Sequence, residues 1–370
     1  MVRITGIRVQ NIRTHTDISQ DIPSTVTLIT GDNGSGKTSL IEAVTVALQG
    51  TSFRGTDTEL LRYDSPWWRI DLQTDEGDRI VKFDPARPSG KKQFTVDEKN
   101  SYRLSALNKY PIVLFEPDDL RLLHGSPSRR REFIDRFISQ LNPQFSTLLR
   151  KYDRALKQRN KLLKNPMASR DDLFVWDIAI GEYGAEIIEQ RISHIERLNS
   201  ELDSTYNTIA QSSDVVSMHY SHTIIGNVKQ RIVSELHACM ERDRLLGYTS
   251  VGPHRDDVLF RFNSMPALSV ASRGEVRSIV LALKFLEVDT ITAMTGRQPI
   301  ILLDDVFGEL DSERQTHLAT KFSGKQIIMT SASSAATLDT ARSIPLTFMI
   351  QSAALDRIVS RKCRERRTEE

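Results

Sequence analysis

The amino-acid sequence predicts an α/β fold with mixed sheets, assembled from both ends of the chain, with a mainly helical domain inserted between them. Three observations predict it. Near the N-terminus, a short apolar run leads into a glycine-rich loop and then a helical stretch. Near the C-terminus, residues 299–305 form a continuous apolar run that ends in two carboxylates, which is typical of a buried parallel strand. The stretch of roughly 200 residues between them shows helical patterns broken by prolines.

The N-terminal segment alternates short apolar runs, at residues 4–9 and 26–29, with polar turns, which is typical of strands. The second run leads directly into residues 31–38, which fit the pattern GxxxxGK[ST]. Residues 39–48 follow with apolar side chains at helical spacing. A strand, this loop and a helix in that order form a site for nucleotide phosphates. The sequence therefore predicts a phosphate loop.

Each residue type in the phosphate loop has a separate chemical role. The glycines let the backbone curl so that amide groups point at phosphate oxygens. Lys37 is expected to contact the β and γ phosphates, and the Thr38 hydroxyl to bind Mg²⁺. We therefore expect ATP and Mg²⁺ as cofactors. The expected cofactor-binding residues here are Gly31, Asp32, Asn33, Gly34, Ser35, Gly36, Lys37, Thr38 and Ser39.

The C-terminal apolar run brings Asp304 and Asp305 to the sheet edge at which open α/β proteins bind ligands. Asp304 is predicted to hold Mg²⁺ together with Thr38, and Asp305 to orient or deprotonate the attacking water. Lys37, Asp304 and Asp305 are therefore the predicted catalytic residues. The alternative is a strand that simply ends in a polar turn.

A polar segment precedes a predicted helix at residues 276–294, and it consists of Ser272, Arg273, Gly274 and Glu275. Placed between a phosphate loop and an Asp-Asp strand, it resembles the Ser-Gly-Gly-Gln signature of ABC-type ATPases, which also opens a helix. The resemblance implies that these residues of one subunit contact the γ-phosphate held by another, so that ATP closes a homodimer. Arg273 and Glu275 depart from the signature. On its own, the segment is equally typical of an ordinary polar helix start.

The ABC resemblance extends to other positions. Glu309, Leu310 and Asp311 are similar to the loop that crosses the dimer interface in that family. Nucleotide contacts are accordingly expected from Asp311 and, at the other end of the chain, from Arg13. A last predicted strand at residues 326–330 leads to Ser331, where ABC proteins usually carry a His, and the missing His implies slow hydrolysis.

Several stretches resemble the RecF family, which joins an SMC-like head to a compact helical lid. They are residues 50–54 (GTSFR), 115–120 (FEPDDL), 125–135 (GSPSRRREFID) and 252–257 (GPHRDD), together with Arg159, Asn160, Trp176 and Asp177. The long heptad repeat of SMC coiled coils is not seen in the sequence. Instead, Pro127, Pro143 and Pro166 break the middle segment into several helices of ordinary length.

The RecF resemblance implies an ABC/SMC-head-like P-loop ATPase. Its head would be discontinuous, at residues 1–115 and 250–350, with a helical lid at 116–249 and a flexible charged tail at 351–370. ATP-driven dimerisation would clamp double-stranded and single-stranded DNA at gaps or junctions and help to load recombinase with RecO and RecR. Hydrolysis would be weak and stimulated by DNA. The alternatives are an SMC-like ATPase with another target, and a nucleotide-dependent dimerisation switch without meaningful turnover.

The overall composition excludes some classes of protein. No apolar run approaches the length of a bilayer-spanning segment, and no export signal is visible, so we expect no membrane contact. Cys239 and Cys363 match no metal-ligand spacing and suit a reducing compartment. We therefore expect a cytoplasmic protein, and the RecF resemblance implies association with the nucleoid. With a net charge of only +2, DNA binding has to come from local clusters of charge.

One such cluster lies at residues 126–170, where twelve Lys or Arg residues against three acidic residues give a local charge of +9. On a helix predicted to start near Gln144, the 3.6-residue repeat aligns five of them opposite an apolar face. This basic stripe consists of Arg150, Arg154, Lys157, Lys161 and Lys164. The stripe is a candidate DNA-binding surface, and the alternative is a solvated basic face.

Other arginines in the cluster have different expected roles. Arg129 and Arg130, in a run of three arginines, are also candidate DNA contacts, although bracing of the lid is equally consistent with the sequence. Arg159 falls in the apolar face of the helix that carries the basic stripe. Because a buried Arg needs a carboxylate, we predict a structural ion pair with Asp177 or Asp135.

Overall fold

In the computed structural model of the chain, the helix after the glycine-rich loop, α1 (Lys37–Gln49), is buried from Ser39 to Leu48 between two β-sheets. The first sheet is antiparallel, in the order β2-β1-β4-β5-β6-β7. Its strands are β1 (Ile4–Ile12), β2 (His15–Asp21), β4 (Trp68–Thr74), β5 (Arg79–Phe83), β6 (Lys92–Val96) and β7 (Lys99–Ser101). A helix with apolar residues on all sides is expected in such a position.

The second sheet is parallel, in the order β14-β3-β13-β12-β8. Its strands are β3 (Val26–Thr30), β8 (Ile112–Phe115), β12 (Ile300–Asp304), β13 (Ile327–Ser331) and β14 (Leu346–Ile350). Every residue of β3, β8, β12 and β13 is buried, as expected of parallel strands covered on both faces. The predicted α/β class is confirmed. Of these two sheets, the first is antiparallel and the second is parallel.

The two ends of the chain are interleaved in this second sheet, because β3 from the N-terminal part pairs with β13, and β8 pairs with β12. A buried side chain also joins the sheets to each other. The Gln326 side chain accepts a hydrogen bond from the Ile4 amide at 2.8 Å and donates one to the Ile4 carbonyl at 2.7 Å. Strand pairing therefore brings both ends of the chain into one sheet.

The chain divides into two units, one of Met1–Pro117 with Ile291–Glu370 and the other of Asp118–Thr290. The structure describes residues 2–22, 25–222, 226–306, 308, 310–331 and the backbone of 346–350. The charged tail predicted at 351–370 lies outside these residues. Among the helices of the described residues, none is long and apolar enough to cross a bilayer.

The second unit is mainly helical. Its elements are a 3₁₀ turn (Pro117–Arg121), α2 (Pro127–Leu141), α3 (Pro143–Leu163), α4 (Arg170–Ala210), β9 (Val216–Tyr220), α5 (Val228–Ala238), α6 (Met240–Leu246), β10 (Val258–Phe262), β11 (Met265–Pro266), α7 (Ala267–Val270) and the larger part of α8 (Arg273–Thr295). A further helix, α9 (Ser312–Lys321), belongs to the first unit. Residues 250–290, assigned to the head from the sequence, group with the second unit because β10 pairs with β9.

The prediction of helices of ordinary length is wrong for α4, which runs for 41 residues. No proline occurs between Pro166 and Pro253, so the chain has no strong helix breaker in this region. Gly181 and Gly184 do not end the helix. A Cβ on Gly181 would lie 2.6 Å from the Val233 side chain, so this glycine permits close packing of α4 on α5.

Arg159 of α3 is fully buried and pairs with two carboxylates of the second unit. Its Nε donates to Asp177 at 2.6 Å, and its Nη1 donates to Asp243 at 2.7 Å and to the Thr249 hydroxyl at 3.0 Å. The predicted pairing with Asp177 is confirmed. Asp135, the other candidate, pairs with the buried Arg191 instead, at 2.7 Å.

Replacing Arg159 by Ala is expected to lower the free energy of unfolding by about 3 to 5 kcal/mol, because it leaves two buried carboxylates without their cation. The matched control is Lys157→Ala on the same helix. Its ion pair with Asp153 is exposed, so the change should stay within about 0.5 kcal/mol. Urea unfolding followed by circular dichroism measures both, and equal effects of the two changes would contradict the structural role of Arg159.

Candidate nucleotide-binding site

The glycine-rich loop connects the end of β3 at Thr30 to the start of α1 at Lys37, which confirms the strand, loop and helix order that its sequence predicts. Gly36 is the N-cap residue of α1 and has a φ of 97°. A Cβ at this position would lie 2.3 Å from His15 Nε2 and 2.6 Å from Thr14 Oγ1. The start of β2 therefore packs directly against the loop, and only glycine fits there.

Lys37 folds back over the loop that precedes it. Its Nζ donates to the Gly31 carbonyl at 2.7 Å and to the Asp32 carbonyl at 2.9 Å. The ammonium group is thus held at the mouth of the loop, at the N-terminal end of α1. A helix N-terminus and a fixed ammonium group together favour binding of phosphate.

Asp304, at the end of β12, is the carboxylate that joins the C-terminal part of the chain to the loop. It is 1% exposed, and its Oδ1 accepts hydrogen bonds from the Thr38 hydroxyl at 2.8 Å and the Thr330 hydroxyl at 2.9 Å. Thr38 and Asp304, predicted as the Mg²⁺ residues, are therefore adjacent. A hydroxyl and a carboxylate are oxygen ligands of the kind that Mg²⁺ prefers, so these residues fit that ion.

Asp305, the predicted residue for water activation, follows Asp304 and is exposed. Its backbone has a φ of 52°, an uncommon conformation for a residue other than glycine. The amide of Asp305 donates to the Thr330 hydroxyl at 2.9 Å, so the same threonine that contacts Asp304 also holds this conformation. Thr330 has no role in the sequence analysis, where it is only the last residue of a predicted strand.

Two arginines lie close to this site. Arg54 Nη2 is 3.5 Å from Asp304 Oδ2, a contact not predicted from the GTSFR stretch that contains it. Arg13, a predicted nucleotide contact, donates from Nη2 and Nε to the Glu42 carboxylate of α1 at 3.1 and 3.3 Å. Neither Glu42 nor Arg54 has a role in the sequence analysis, because neither belongs to the phosphate-loop pattern.

The segment that resembles the ABC signature lies in the second unit, at the start of α8. The Ser272 amide donates to Glu275 Oε2 at 2.6 Å, and the Glu275 amide donates to Ser272 Oγ at 3.3 Å. These reciprocal bonds form a capping box, a role that either Glu or Gln can fill. Arg273 is exposed. Contacts of Ser272, Arg273, Gly274 and Glu275 with a nucleotide stay predictions.

The remaining predicted nucleotide residues are near the C-terminal end of the described chain. Asp311 is the N-cap residue of α9, where its Oδ1 accepts from the Arg314 amide at 3.0 Å and its carboxylate pairs with the Arg314 side chain. Glu309 lies outside the described residues. Ser331 is the buried last residue of β13.

The five residues of the basic stripe are exposed along α3, while Phe145, Leu148 and Tyr152 on the opposite face are buried. Lys164 is the C-cap residue of this helix. The stripe makes only weak, local contacts in the described residues, such as the exposed pair of Lys157 with Asp153 at 2.7 Å. Binding of DNA by the stripe stays a prediction.

The run of three arginines at the start of α2 is engaged within the second unit. Arg130 makes a bidentate pair with Asp257, with both distances at 2.8 Å, and its side chain is 11% exposed. Arg129 pairs with Asp118 at 2.9 Å. Arg131 donates to the Asp256 carbonyl at 2.5 Å, and burial lowers its pKa. These contacts favour bracing over DNA binding, most clearly for Arg130.

Known proteins resemble this chain over most of its length. A family model described as "AAA domain" matches residues 7–215. "DNA replication and repair protein RecF" of Clostridium perfringens (strain SM101) is 32% identical over 336 residues, which cover 88% of this chain and 92% of that protein. The protein of the same name from Streptococcus agalactiae serotype V is 32% identical over 334 residues, which cover 85% of this chain and 87% of that protein.

Two solved structures are also similar. One is the recombination mediator protein RecF-ATP in the RecFOR pathway, with a TM-score of 0.80 and 28% identity over 90% of this chain and 93% of that chain. The other is RecF-ATPrS in the same pathway, with a TM-score of 0.83 and 26% identity over 95% of this chain and 96% of that chain. The similarity therefore includes both units of the chain.

The packing of His15 and Thr14 against Gly36 can be tested with two alanine substitutions in the loop. Gly36→Ala should lower the free energy of unfolding by about 3 kcal/mol, because it adds a steric clash to an unfavourable φ. Gly34→Ala is the control, since Gly34 has a φ of 82° but no atom within 4 Å of an added Cβ. It should lower the free energy by only about 1 kcal/mol. Indistinguishable unfolding curves for the two variants would refute the close packing at Gly36.

Proposed function

This chain belongs to the RecF family of DNA replication and repair proteins, and on that premise we propose that it is an ATP-dependent DNA-binding repair protein whose ATP-driven dimerisation clamps DNA at gaps or junctions. The observation that carries the proposal is the 2.8 Å hydrogen bond between Thr38 of the phosphate loop and Asp304 of the distant β12 strand. This contact supports a magnesium-nucleotide site built from both ends of the chain.

ATP binds on residues 31–39, with Lys37 at the β and γ phosphates. Thr38 and Asp304 hold Mg²⁺, which supplies charge neutralisation for the phosphates when bound. Asp305 orients the attacking water or removes its proton, from a backbone conformation fixed by Thr330. Ser331, rather than His, at the end of β13 supports slow hydrolysis.

Dimerisation follows from the second anion site at the start of α8. The Ser272 hydroxyl and the Gly274 amide of one copy contact the γ-phosphate held by another, and Arg273 adds a positive charge. The exposure of Ser272 and Arg273 is consistent with a contact between copies. Arg13 and Asp311 contribute further nucleotide contacts. The nucleotide bound by the protein thereby controls whether two copies form the dimer that clamps DNA.

The basic stripe on α3 binds the phosphates of double-stranded and single-stranded DNA without reading bases. The solved relatives are recombination mediators in the RecFOR pathway. By that likeness, this protein acts at the nucleoid with RecR and RecO to load recombinase, and DNA stimulates its ATPase activity.

Light scattering with ATP and Mg²⁺ should show a doubling of the molar mass of the wild-type protein, because the triphosphate joins two copies. Lys37→Ala should remain a monomer under the same conditions, since it lacks the ammonium group that holds the β and γ phosphates. Asp305→Asn is the matched control. It keeps the phosphate contacts, so it should dimerise and, with hydrolysis lost, form a longer-lived dimer.

The Asp305→Asn variant also distinguishes an ATP-hydrolysing enzyme from a second candidate function. That candidate is a dimerisation switch without meaningful turnover, and Ser331 in place of His favours it. For a pure switch, the lifetime of the ATP dimer should be the same in Asp305→Asn and wild type. A wild-type protein that binds ATP and stays a monomer would refute the clamp itself.

DNA affinity should fall steeply with salt if the basic stripe contacts phosphates. Five neutralised phosphates correspond to a slope of log affinity against log salt of about −4.5 per protomer on duplex DNA. Replacing Lys157 and Lys161 by Gln should reduce the slope to about −2.7. Fluorescence anisotropy at several salt concentrations measures both slopes.

The control for this measurement replaces two exposed lysines of the first unit, Lys91 and Lys99, by Gln. It therefore changes the net charge by the same amount as the double variant of the basic stripe. Its slope should equal that of the wild type. A wild-type slope near zero, or equal losses in the two double variants, would rule out the stripe as the DNA-binding surface.

A further inference from the structure

Glu42 is a buried carboxylate on α1, one turn beyond the phosphate loop, and it is 1% exposed among apolar neighbours such as Ile41 and Ala43. A buried carboxylate destabilises a fold unless it is paired and hydrogen-bonded. Within the described residues, the hydrogen-bond partners of the Glu42 side chain lie outside its own helix. They are Arg13, in the turn between β1 and β2, and Ser52, in the loop after α1.

The Arg13 partner is held in an uncommon backbone conformation. Arg13, in the turn, has a φ of 51°, and Asn11, near the end of β1, has a φ of 56°, so both are in the left-handed region. The Arg13 amide donates to the Leu60 carbonyl at 2.9 Å, and its guanidinium contacts both oxygens of Glu42. Such conformations persist only when surrounding contacts fix them, and they cluster at functional sites.

The Ser52 partner connects Glu42 to Arg54. Ser52 Oγ donates to Glu42 Oε1 at 2.5 Å and accepts from the amides of Arg54 at 2.9 Å and Gly55 at 3.1 Å. The Ser52 hydroxyl thus fixes the backbone at Arg54. The Arg54 side chain reaches Asp304 at 3.5 Å.

We propose that Glu42 is a positioning residue for nucleoside triphosphate binding, which fixes Arg13 directly and Arg54 through Ser52 before the nucleotide arrives. The inference rests on the proposed function, because it assumes that the phosphate loop binds ATP. Two cations ordered in advance lose less conformational entropy on binding a triphosphate than two mobile ones. The two partners of Glu42 join the turn after β1 and the loop after α1 to the phosphate-loop helix, so one carboxylate orders the segments that carry both arginines.

The test measures ATP and ADP affinities of Glu42→Gln by titration with fluorescent nucleotides in the presence of Mg²⁺. We expect ATP to bind about tenfold more weakly than to the wild type, because the charged partner of Arg13 is lost. The loss for ADP should be smaller, since Arg54 lies at Asp304, the proposed Mg²⁺ residue beside the terminal phosphates. The ratio of ATP to ADP affinity therefore falls.

Ser52→Ala provides a second variant on a partly exposed loop. It releases Arg54 but leaves the pair of Arg13 with Glu42, so ATP affinity should fall about threefold with ADP affinity unchanged. If Glu42→Gln does not fold, the ratio of ATP to ADP affinity of Ser52→Ala alone tests the proposal. An unchanged ratio in Ser52→Ala would then overturn the proposal.

A double-mutant cycle tests whether Glu42 acts through Arg13. The variant with both Glu42→Gln and Arg13→Gln should lose less ATP affinity than the product of the two single losses, because the two residues belong to one contact. Strictly multiplicative losses would show that Glu42 does not position Arg13.

Thr45→Val is the matched control for burial on α1. Thr45 is 5% exposed, and within the described part of the chain its hydroxyl donates only to the Ile41 carbonyl of the same helix, so this variant should bind ATP as the wild type does. Wild-type ATP affinity in Glu42→Gln, or equal weakening of ATP and ADP, would overturn the proposal. A wild-type protein that binds no ATP, or a Lys37→Ala variant that binds it normally, would instead overturn the proposed function.

Discussion

The structure of the candidate nucleotide site depends on one partly buried hydrogen bond, from the Thr38 hydroxyl to Asp304. Thr38 begins a helix near the N-terminus, and Asp304 ends a strand that follows after more than two-thirds of the chain. They meet because β3 and β12 lie in one parallel sheet, on either side of β13, and their carboxyl ends share an edge. Thr330 at the end of β13 completes the contact with Asp304.

Two buried carboxylates, Asp304 and Glu42, lie near the phosphate loop, and each has an arginine close to it. Asp304 and Glu42 are each buried to 1% exposure, so both need hydrogen-bond donors. Asp304 receives two hydroxyls and has Arg54 nearby, while Glu42 receives Arg13 and Ser52. The side chains that satisfy the buried carboxylates come from the segments that surround the phosphate loop. Stability of the fold and order of the site thus rest on the same contacts.

The sequence predicted those parts of the site that depend on local order along the chain. The phosphate loop, the Asp304 strand and the start of α8 were placed correctly because each is a short motif next to a periodic element. The pairing of Arg159 with Asp177 was also predictable, since a charge on an apolar helix face requires an acid. Glu42 and Thr330 were missed because their partners are distant in sequence. The length of α4 was missed because its glycines serve packing, which the residue pattern does not show.

The arginines of residues 126–170 divide into two groups by their partners, and this division bears on DNA binding. Arg130 and Arg159 make short, largely buried pairs with Asp257, Asp177 and Asp243, so their charges hold the helices of the second unit together. Their contribution to the local charge of +9 is neutralised inside the unit. The basic stripe differs, because its side chains stay exposed along one face of α3 and its one acidic partner among the described residues, Asp153, is an exposed residue of the same helix. An exposed ion pair of this kind is worth little, so a DNA phosphate can replace it at small cost. A positive surface therefore survives on a protein whose net charge is nearly zero.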